Sequence, residues 1–419
     1  MKRCNENLIS TLMEESTISI RDALWKDIHL SPSLYRVYHC SCMQKLGRIK
    51  QLGPVFHIYP SAVHTRLDHS LGVYHLSYCI VLSLLKRKTS TLLSEEGIKS
   101  FLCAALLHDI GHFPYAHSLK ELPLSSHESL ATKNILGDKI LFSAISDCGV
   151  QPSVVADIID KTRINPDKEI QFYRLLLSGT LDPDKLDYLN RDAFFCGVPY
   201  GDQDASYITD HLAMAEDKPV LEISSISSIE HLLFSKYLMF RNVYWHRYTR
   251  SATAMIKKAL LMALKDRVFP PEELYDLDDD QFFCLGRKFD HPGLRLLDEV
   301  RDNRLLACSF EENFNPNREM DTKCLDLTLR TEYETGLYHE LKKKYPLLQA
   351  EEIIVDIPEP VSFESDMGIL LDNGTVSSFA TEDQLFQPDI SQVFANCLRK
   401  TRVYTPSYID RNILNNLLK

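Results

Sequence analysis

Eight of the 15 histidines lie between His57 and His127: His57, His64, His69, His75, His108, His112, His117 and His127. An even spread over 419 residues would place two or three there. Imidazole ligates divalent cations and moves protons near neutral pH, so such a cluster points to metal or acid–base chemistry. Its central string is Leu106-Leu107-His108-Asp109-Ile110-Gly111-His112. An adjacent His-Asp pair at the end of an apolar helix sets an imidazole beside a carboxylate, about 100° apart around the axis. A buried carboxylate needs a partner, and a divalent cation is a natural one. Alone, the pair also fits an ordinary helix terminus in which Asp109 bonds backbone groups.

Two further strings carry the same residue types. Upstream stands His64-Thr65-Arg66-Leu67-Asp68-His69-Ser70-Leu71-Gly72, and downstream Asp182-Pro183-Asp184-Lys185-Leu186-Asp187-Tyr188-Leu189-Asn190-Arg191-Asp192. On a helix, measured from Asp184, Lys185 lies at about 100°, Tyr188 at about 40° and Asp192 at about 80°. A ligand, a cation and two polar groups thus share one quarter-turn. Asp187 and Arg191 instead fit a solvated face with an i,i+4 pair.

The ordered set H…HD…D is the signature of the HD superfamily. The stretch from about Asp22 to Arg250 resembles the SAM-and-HD-domain deoxynucleotide triphosphohydrolases and their bacterial dGTPase-like relatives. The matching strings are RIKQLG (48–53), HTRLDHSLGV (64–73), LLHDIGHFPYAH (106–117), SSHES (125–129), DPDKLDYLNRD (182–192) and RNVYWHR (241–247). The resemblance implies that His69, His108, Asp109 and Asp184 hold one divalent metal ion, whose donors suit Mn, Fe, Zn or Mg. A mononuclear site is expected, because the chain lacks the His-His pair of HD-GYP phosphodiesterases. It further implies that Arg66 clamps phosphate and Lys185 meets it, and that Tyr188 and Asp192 hold the sugar. Gln51 and Leu52 match positions near sugar and base, and Arg241 and His246 match positions on the polyphosphate and nucleotide. His112, His117 and His127 match the catalytic group, with His117 as proton donor. The remaining histidines are read as structural.

Three departures stand out. The acidic position three residues after His117 is Lys120, with the acid one later at Glu121. Nucleotide-activated relatives carry an aspartate and an arginine where this chain has His39 and Gly47, with only Gln44 kept. An enzyme active without a guanine activator, or switched by another ligand, is therefore expected. Asp22-Ala23-Leu24-Trp25 replaces a more usual Asp-Pro string that continues into His-Gly.

The function implied is hydrolysis of a deoxynucleoside triphosphate to the deoxynucleoside and triphosphate. The alternatives are an HD phosphatase or hydrolase acting on a nucleoside monophosphate or an alarmone, or a low-turnover metal-bound nucleotide sensor. A homo-oligomer, dimer or higher, follows by the same analogy.

Positioning these residues is work for helices. Residues 31–52 lack a breaker before Gly53-Pro54 and suggest one helix. A second is expected from Asp68 to Lys88, apolar on nearly all sides and so enclosed by others. A third should run from Glu95 to Ile110, halted by a left-handed Gly111. Asp182-Pro183 is a strong helix start, capping a helix over 183–195. Another fits 228–266, with a short strand at Pro219–Ile223 between. Beyond Pro270-Pro271 the texture becomes mixed. The acidic run Asp276–Asp280 reads as a solvated turn and helix cap, it precedes mixed segments that include Glu352–Ile357 and Met367–Leu371, and Asp372-Asn373-Gly374 reads as a hairpin turn. The expected fold is mainly α. It comprises an HD-type helical core over residues 1–269, its motifs within about 48–250, and a smaller α+β region over 270–419.

A formal charge of −11 argues against nucleic acid and anionic membrane as partners and requires any anion site to be a local concentration of cations. No apolar run approaches the ~18–20 residues that span a bilayer, and the N-terminus lacks signal-peptide features, so a cytoplasmic protein is expected. Eleven cysteines without a CxxC pair read as reduced and mostly buried.

Overall fold

Thr65 begins the first helix that carries a site residue. Its hydroxyl accepts the Asp68 amide while the Asp68 carboxylate accepts the Thr65 amide, a reciprocal cap that starts α1 (Arg66–Lys86). This is a computed structural model, describing residues 2–87, 92–363 and 365–418. The expected end of α1 at Lys88 lies outside the described residues. Ser94 caps α2 (Glu95–Leu107), whose stretch from Ser100 to Leu107 is entirely buried. α3 (His127–Gly137) starts from Ser126. α4 (Pro183–Cys196) has Asp182 as N-cap, its side chain accepting the Lys185 amide, and left-handed Gly197 as stop. α1 packs against both α2 and α4, which explains why it is apolar on nearly every side. Phe101 of α2 stacks on buried Tyr173 at 4.8 Å, a pair contributing ~1 kcal/mol beyond its burial.

Four expectations need correction. Residues 31–52 form two short helices, Pro32–Tyr38 and Ser41–Leu46, because the chain turns extended at Cys40. The long helix over 228–266 is broken into α5 (Ser227–Met239) and α6 (Arg247–Lys265) by a wide π turn at Phe240–Tyr244. Gly111 is absent from the left-handed glycines among the described residues, and α2 ends earlier, at Leu107. What Gly111 permits is close approach, since a Cβ there would sit 2.0 Å from the His127 carbonyl oxygen. The acidic run does cap a helix, at Asp278, but Asp278 and Asp279 are buried. Asp278 accepts Arg48 Nε at 2.7 Å and Asp279 accepts the Lys50 amide at 3.0 Å, so this loop pins the strand-like segment before the site.

The fold is mainly α, with a helical core and an α+β C-terminal region. Nine short strands form three sheets among the described residues. β1 (Ile18–Asp22) and β2 (Lys26–Leu30) make an antiparallel hairpin. β3 (Leu212–Ala215) and β4 (Lys218–Glu222) join β7 (Gly368–Leu370) and β8 (Val376–Ser378) in the order β3-β4-β7-β8, so one sheet unites residues on both sides of position 270. β7 and β8 turn through Asp372-Asn373-Gly374, with Gly374 at φ +84°. β5 (Ala307–Asn313), β6 (Ile354–Asp356) and β9 (Lys400–Thr405) form the third sheet, which lies against α6. No disulfide links the ten cysteines whose side chains are described. No described helix is long and apolar enough to cross a membrane.

Candidate active site

The three strings meet where α1, α2 and α4 converge. His69, one turn into α1, places Nε2 2.9 Å from Asp184 Oδ1 on the first turn of α4. His108 follows the last residue of α2, and its Nδ1 bonds the Ala105 carbonyl at 2.9 Å, which turns Nε2 inward. That Nε2 is buried without a hydrogen-bond partner, 3.5 Å from Asp109 Oδ1 and 3.9 Å from Asp184 Oδ1. His69, His108 and Asp109 offer donor atoms within 4.8 Å of one another. An orphaned imidazole nitrogen facing two carboxylate oxygens is what a divalent cation would satisfy, and the mixed nitrogen and oxygen donors suit one. Asp184 keeps 39% of its side chain exposed toward the cavity, so the four groups are reachable from it.

Burial disfavours charge on His69, but Asp184 and Asp187 outweigh it and raise its pKa to about 10. Asp109 is fully enclosed, yet His112, His108 and Arg66 overcome that desolvation and hold its carboxyl well below the usual range. Arg66 Nη1 donates to Asp109 Oδ2 at 2.7 Å, so this guanidinium stands at the cluster already paired. Asp187 and Arg191 are not on a solvated face, because α1 covers them and both are fully buried. Asp187 Oδ2 lies 2.8 Å from His69 Nδ1, and Arg191 grips both Asp187 oxygens at 2.9 and 3.0 Å.

His112, His117 and His127 gather beside the cluster with ring centroids 4.1–5.1 Å apart. Gly111 makes this packing accessible by letting α3 press on the His108–His112 turn. Burial lowers the pKa of all three, and Arg66 lowers it further; for His112 and His117 the drop is well below the usual histidine value. Glu121 does not orient His117: its Oε2 is held by Lys257 at 2.8 Å and Arg330 at 2.9 Å. Gln44, the residue kept from the activator pattern, donates to the Tyr38 carbonyl at 2.8 Å.

A cavity of about 520 Å³ opens on these groups, within the range of small-molecule sites. Gln51, Leu52, Arg66, Tyr188, Asp192, His117 and His127 line it, with the metal-type cluster at its floor. Asp192 is oriented by His64 at 2.9 Å and by the Tyr244 hydroxyl at 2.6 Å, which gives His64 its structural role. Four residues named from the resemblance stand outside the lining: His112, which is fully buried, and Lys185, Arg241 and His246. Lys185 Nζ turns to the Gly179 carbonyl at 2.7 Å and to Asp182. Arg241, on the π turn, is exposed and reaches Tyr237 at 3.0 Å. His246, the residue before α6, packs against Tyr248. The lining instead includes Tyr244, Arg250, Thr253, Lys257 and the segment Pro358–Val361. The spacing Arg250, Thr253, Lys257 is one helix face and was a readable signal, although nothing local says that this face is the inner one.

Comparison with known proteins gives the family. Residues 66–190 match the family described as HD domain, and residues 203–388 match the HD associated region. The Bacillus subtilis protein YwfO is 37% identical over 52% of this chain, an alignment covering about half, 49%, of its own length. MG461 of Mycoplasma genitalium is 32% identical over 73% of this chain and 80% of its own. The human deoxynucleoside triphosphate triphosphohydrolase SAMHD1 is 31% identical over 39% of this chain and 26% of its own. A crystal structure of a Bacteroides thetaiotaomicron phosphohydrolase superposes with a TM-score of 0.74 over 93% of this chain and 99% of the other. At 24% identity that last likeness is one of fold.

Proposed function

This chain belongs to the HD-domain family, and from that premise we propose that it is a deoxynucleoside triphosphate triphosphohydrolase, releasing the deoxynucleoside and intact triphosphate. One observation carries the reading. His69, His108, Asp109 and Asp184 converge at the floor of a cavity whose walls bring Arg66, Arg250 and Lys257 together in a protein of net charge −11. Each of these cations is held by a carboxylate in the free protein, Arg66 by Asp109, Arg250 by Asp356 and Lys257 by Glu121, and a polyphosphate seated at the cluster would compete for them through charge-assisted bonds.

When bound by those four side chains, a divalent ion supplies Lewis-acid polarisation of a phosphoryl oxygen and orientation of the attacking water. The chain's own groups do the rest. Arg66 forks onto phosphate beside the cluster. Arg250 and Lys257 take the outer phosphates, a role for which Lys185, Arg241 and His246 are turned away in this conformation. Tyr188 and Asp192 face the sugar, and Gln51 and Leu52 the adjoining base. His117, whose basicity burial lowers in the free protein, gains basicity when a phosphate anion arrives next to it, takes up a proton from solvent and donates it to the leaving 5′-oxygen. The same likeness extends the proposal to a homo-oligomer, checked by light scattering.

The test is a screen of Mn-loaded protein against the four dNTPs, with and without GTP, following triphosphate release. Triphosphate and deoxynucleoside in equal amounts support the proposal. Hydrolysis of a nucleoside monophosphate or an alarmone with no dNTP turnover, or no turnover at all, overturns it.

A further inference from the structure

Asp22-Ala23-Leu24-Trp25 lies outside the stretch that matches the HD domain, yet it reaches the floor of the site. Asp22 Oδ1 accepts the amides of Leu24 at 2.8 Å and Trp25 at 2.7 Å, so one carboxylate closes the turn between β1 and β2. Its other oxygen accepts Arg191 Nη1 at 2.8 Å. The Trp25 indole Nε1–H donates to Asp187 Oδ1 at 2.5 Å. Arg191 spans from Asp187 back to Asp22, so Asp22, Trp25, Asp187 and Arg191 form a closed ring of bonds. His69 is its only branch toward the cluster among these contacts.

The ring uses Asp187 completely. A carboxylate offers about four lone-pair sites. Here Trp25 and Arg191 Nη2 take one oxygen, and His69 and Arg191 Nε the other. An ionised carboxylate can only accept, so His69 must carry its proton on Nδ1 and present Nε2 toward Asp184. Gly72 makes room for this, since a Cβ there would lie 1.8 Å from Asp187 Oδ1. His75 of α1 stacks on Trp25 at 6.0 Å and seats the indole. Burying an arginine and two aspartates is costly, and well-packed apolar residues would serve stability as well. Fixing the orientation and tautomer of one imidazole gives the arrangement a purpose.

We infer that the Asp22–Trp25 turn is an outer clamp on the metal centre, with Trp25 and Asp187 as positioning residues that hold His69 Nε2 toward the ion. This rests on reading His69 as a metal ligand. Calorimetric titration of the demetallated full chain with Mn²⁺ tests it, without recourse to activity. Trp25→Phe, which keeps the ring and loses the N–H, should bind Mn²⁺ about tenfold more weakly, as outer-shell changes do. Trp25→His, which restores a ring N–H, should recover most of that loss. Metal-free melting of both variants should stay close to the parent's, which separates positioning from general destabilisation. Unchanged Mn²⁺ affinity in Trp25→Phe, with affinity lost in His69→Ala, overturns the clamp and leaves the metal centre standing. If the parent chain takes up no Mn²⁺, or His69→Ala binds it as well as the parent, the underlying reading falls and the clamp with it.

Discussion

Glu121 Oε2 lies 2.8 Å from Lys257 Nζ, on the cavity wall, and the same oxygen accepts Arg330 Nη1 at 2.9 Å from the C-terminal region. A single carboxylate thus joins the loop after His117, the inner face of α6 and the helix Leu327–Lys342. Burial raises the Glu121 pKa, but Lys257 and Arg330 outweigh it and leave it below the usual glutamate range. A depressed carboxyl contributes stability that is fully present above its unfolded pKa, about 4.3, and is lost as pH falls through the folded value. Glu121→Gln should therefore cost about 3 kcal/mol in denaturant unfolding above about pH 5, by leaving two cations unpaired. The gap to the parent should close as pH drops below about 4; a gap constant from pH 7 to 3 would contradict this.

Lys257 should matter to substrate more than to folding. Replacing it with Met keeps the stem and removes the charge that faces the cavity. With a polyphosphate substrate, KM should rise about tenfold, the equivalent of about 1.4 kcal/mol, with kcat changed far less. Steady-state kinetics that showed the reverse split would place Lys257 in the chemical step.

Lys236 offers a pH signature away from the cluster. Burial lowers its pKa to about 8, and neighbouring Lys185 adds to the shift. For a base whose folded pKa is lowered, the unfolded chain binds more protons between the folded and unfolded values, so stability rises with pH across about 8 to 10.5. Lys236→Met should accordingly be more stable than the parent at pH 7, with the advantage shrinking toward pH 10. Melting curves across that range are the measurement.

Gly111→Ala should be among the most damaging small substitutions. Its Cβ would meet the His127 oxygen at 2.0 Å and the Ala131 amide nitrogen at 2.5 Å, both backbone atoms that cannot step aside. A loss of about 2–3 kcal/mol is expected, with the His112–His127 stack pushed apart. Thermal unfolding reports the first and triphosphate-release activity the second.

Removing the ion should be reversible and removing its ligands should not. Chelation is expected to abolish hydrolysis, with recovery on adding Mn²⁺. The double change His108→Ala, Asp109→Ala should lose bound metal by elemental analysis and lose activity together, and activity persisting in that variant would move the centre elsewhere.

Some of this was determined by sequence alone. The helix starts at Glu95 and Asp182 and the turn at Gly374 follow from bonds made within three or four residues, so local rules see them, whereas the expected start at Asp68 missed the Thr65 cap. That His69, His108, Asp109 and Asp184 form one cluster was implied by the resemblance of the strings around them, and the fold brings them together. Tertiary structure decided the rest. Asp187 and Arg191 have the spacing of a surface ion pair, and only packing against Gly72 and Trp25 makes them buried. Arg241 and Arg250 are equally basic, and the π turn at Phe240–Tyr244 is what leaves one exposed and turns the other inward. Pro358–Val361 reaches the cavity because Arg399 Nε holds the Pro358 carbonyl at 2.8 Å. Chemistry written in residue types can be read along the chain, whereas which face becomes a wall depends on contacts made beyond the span of a local turn or helix cap.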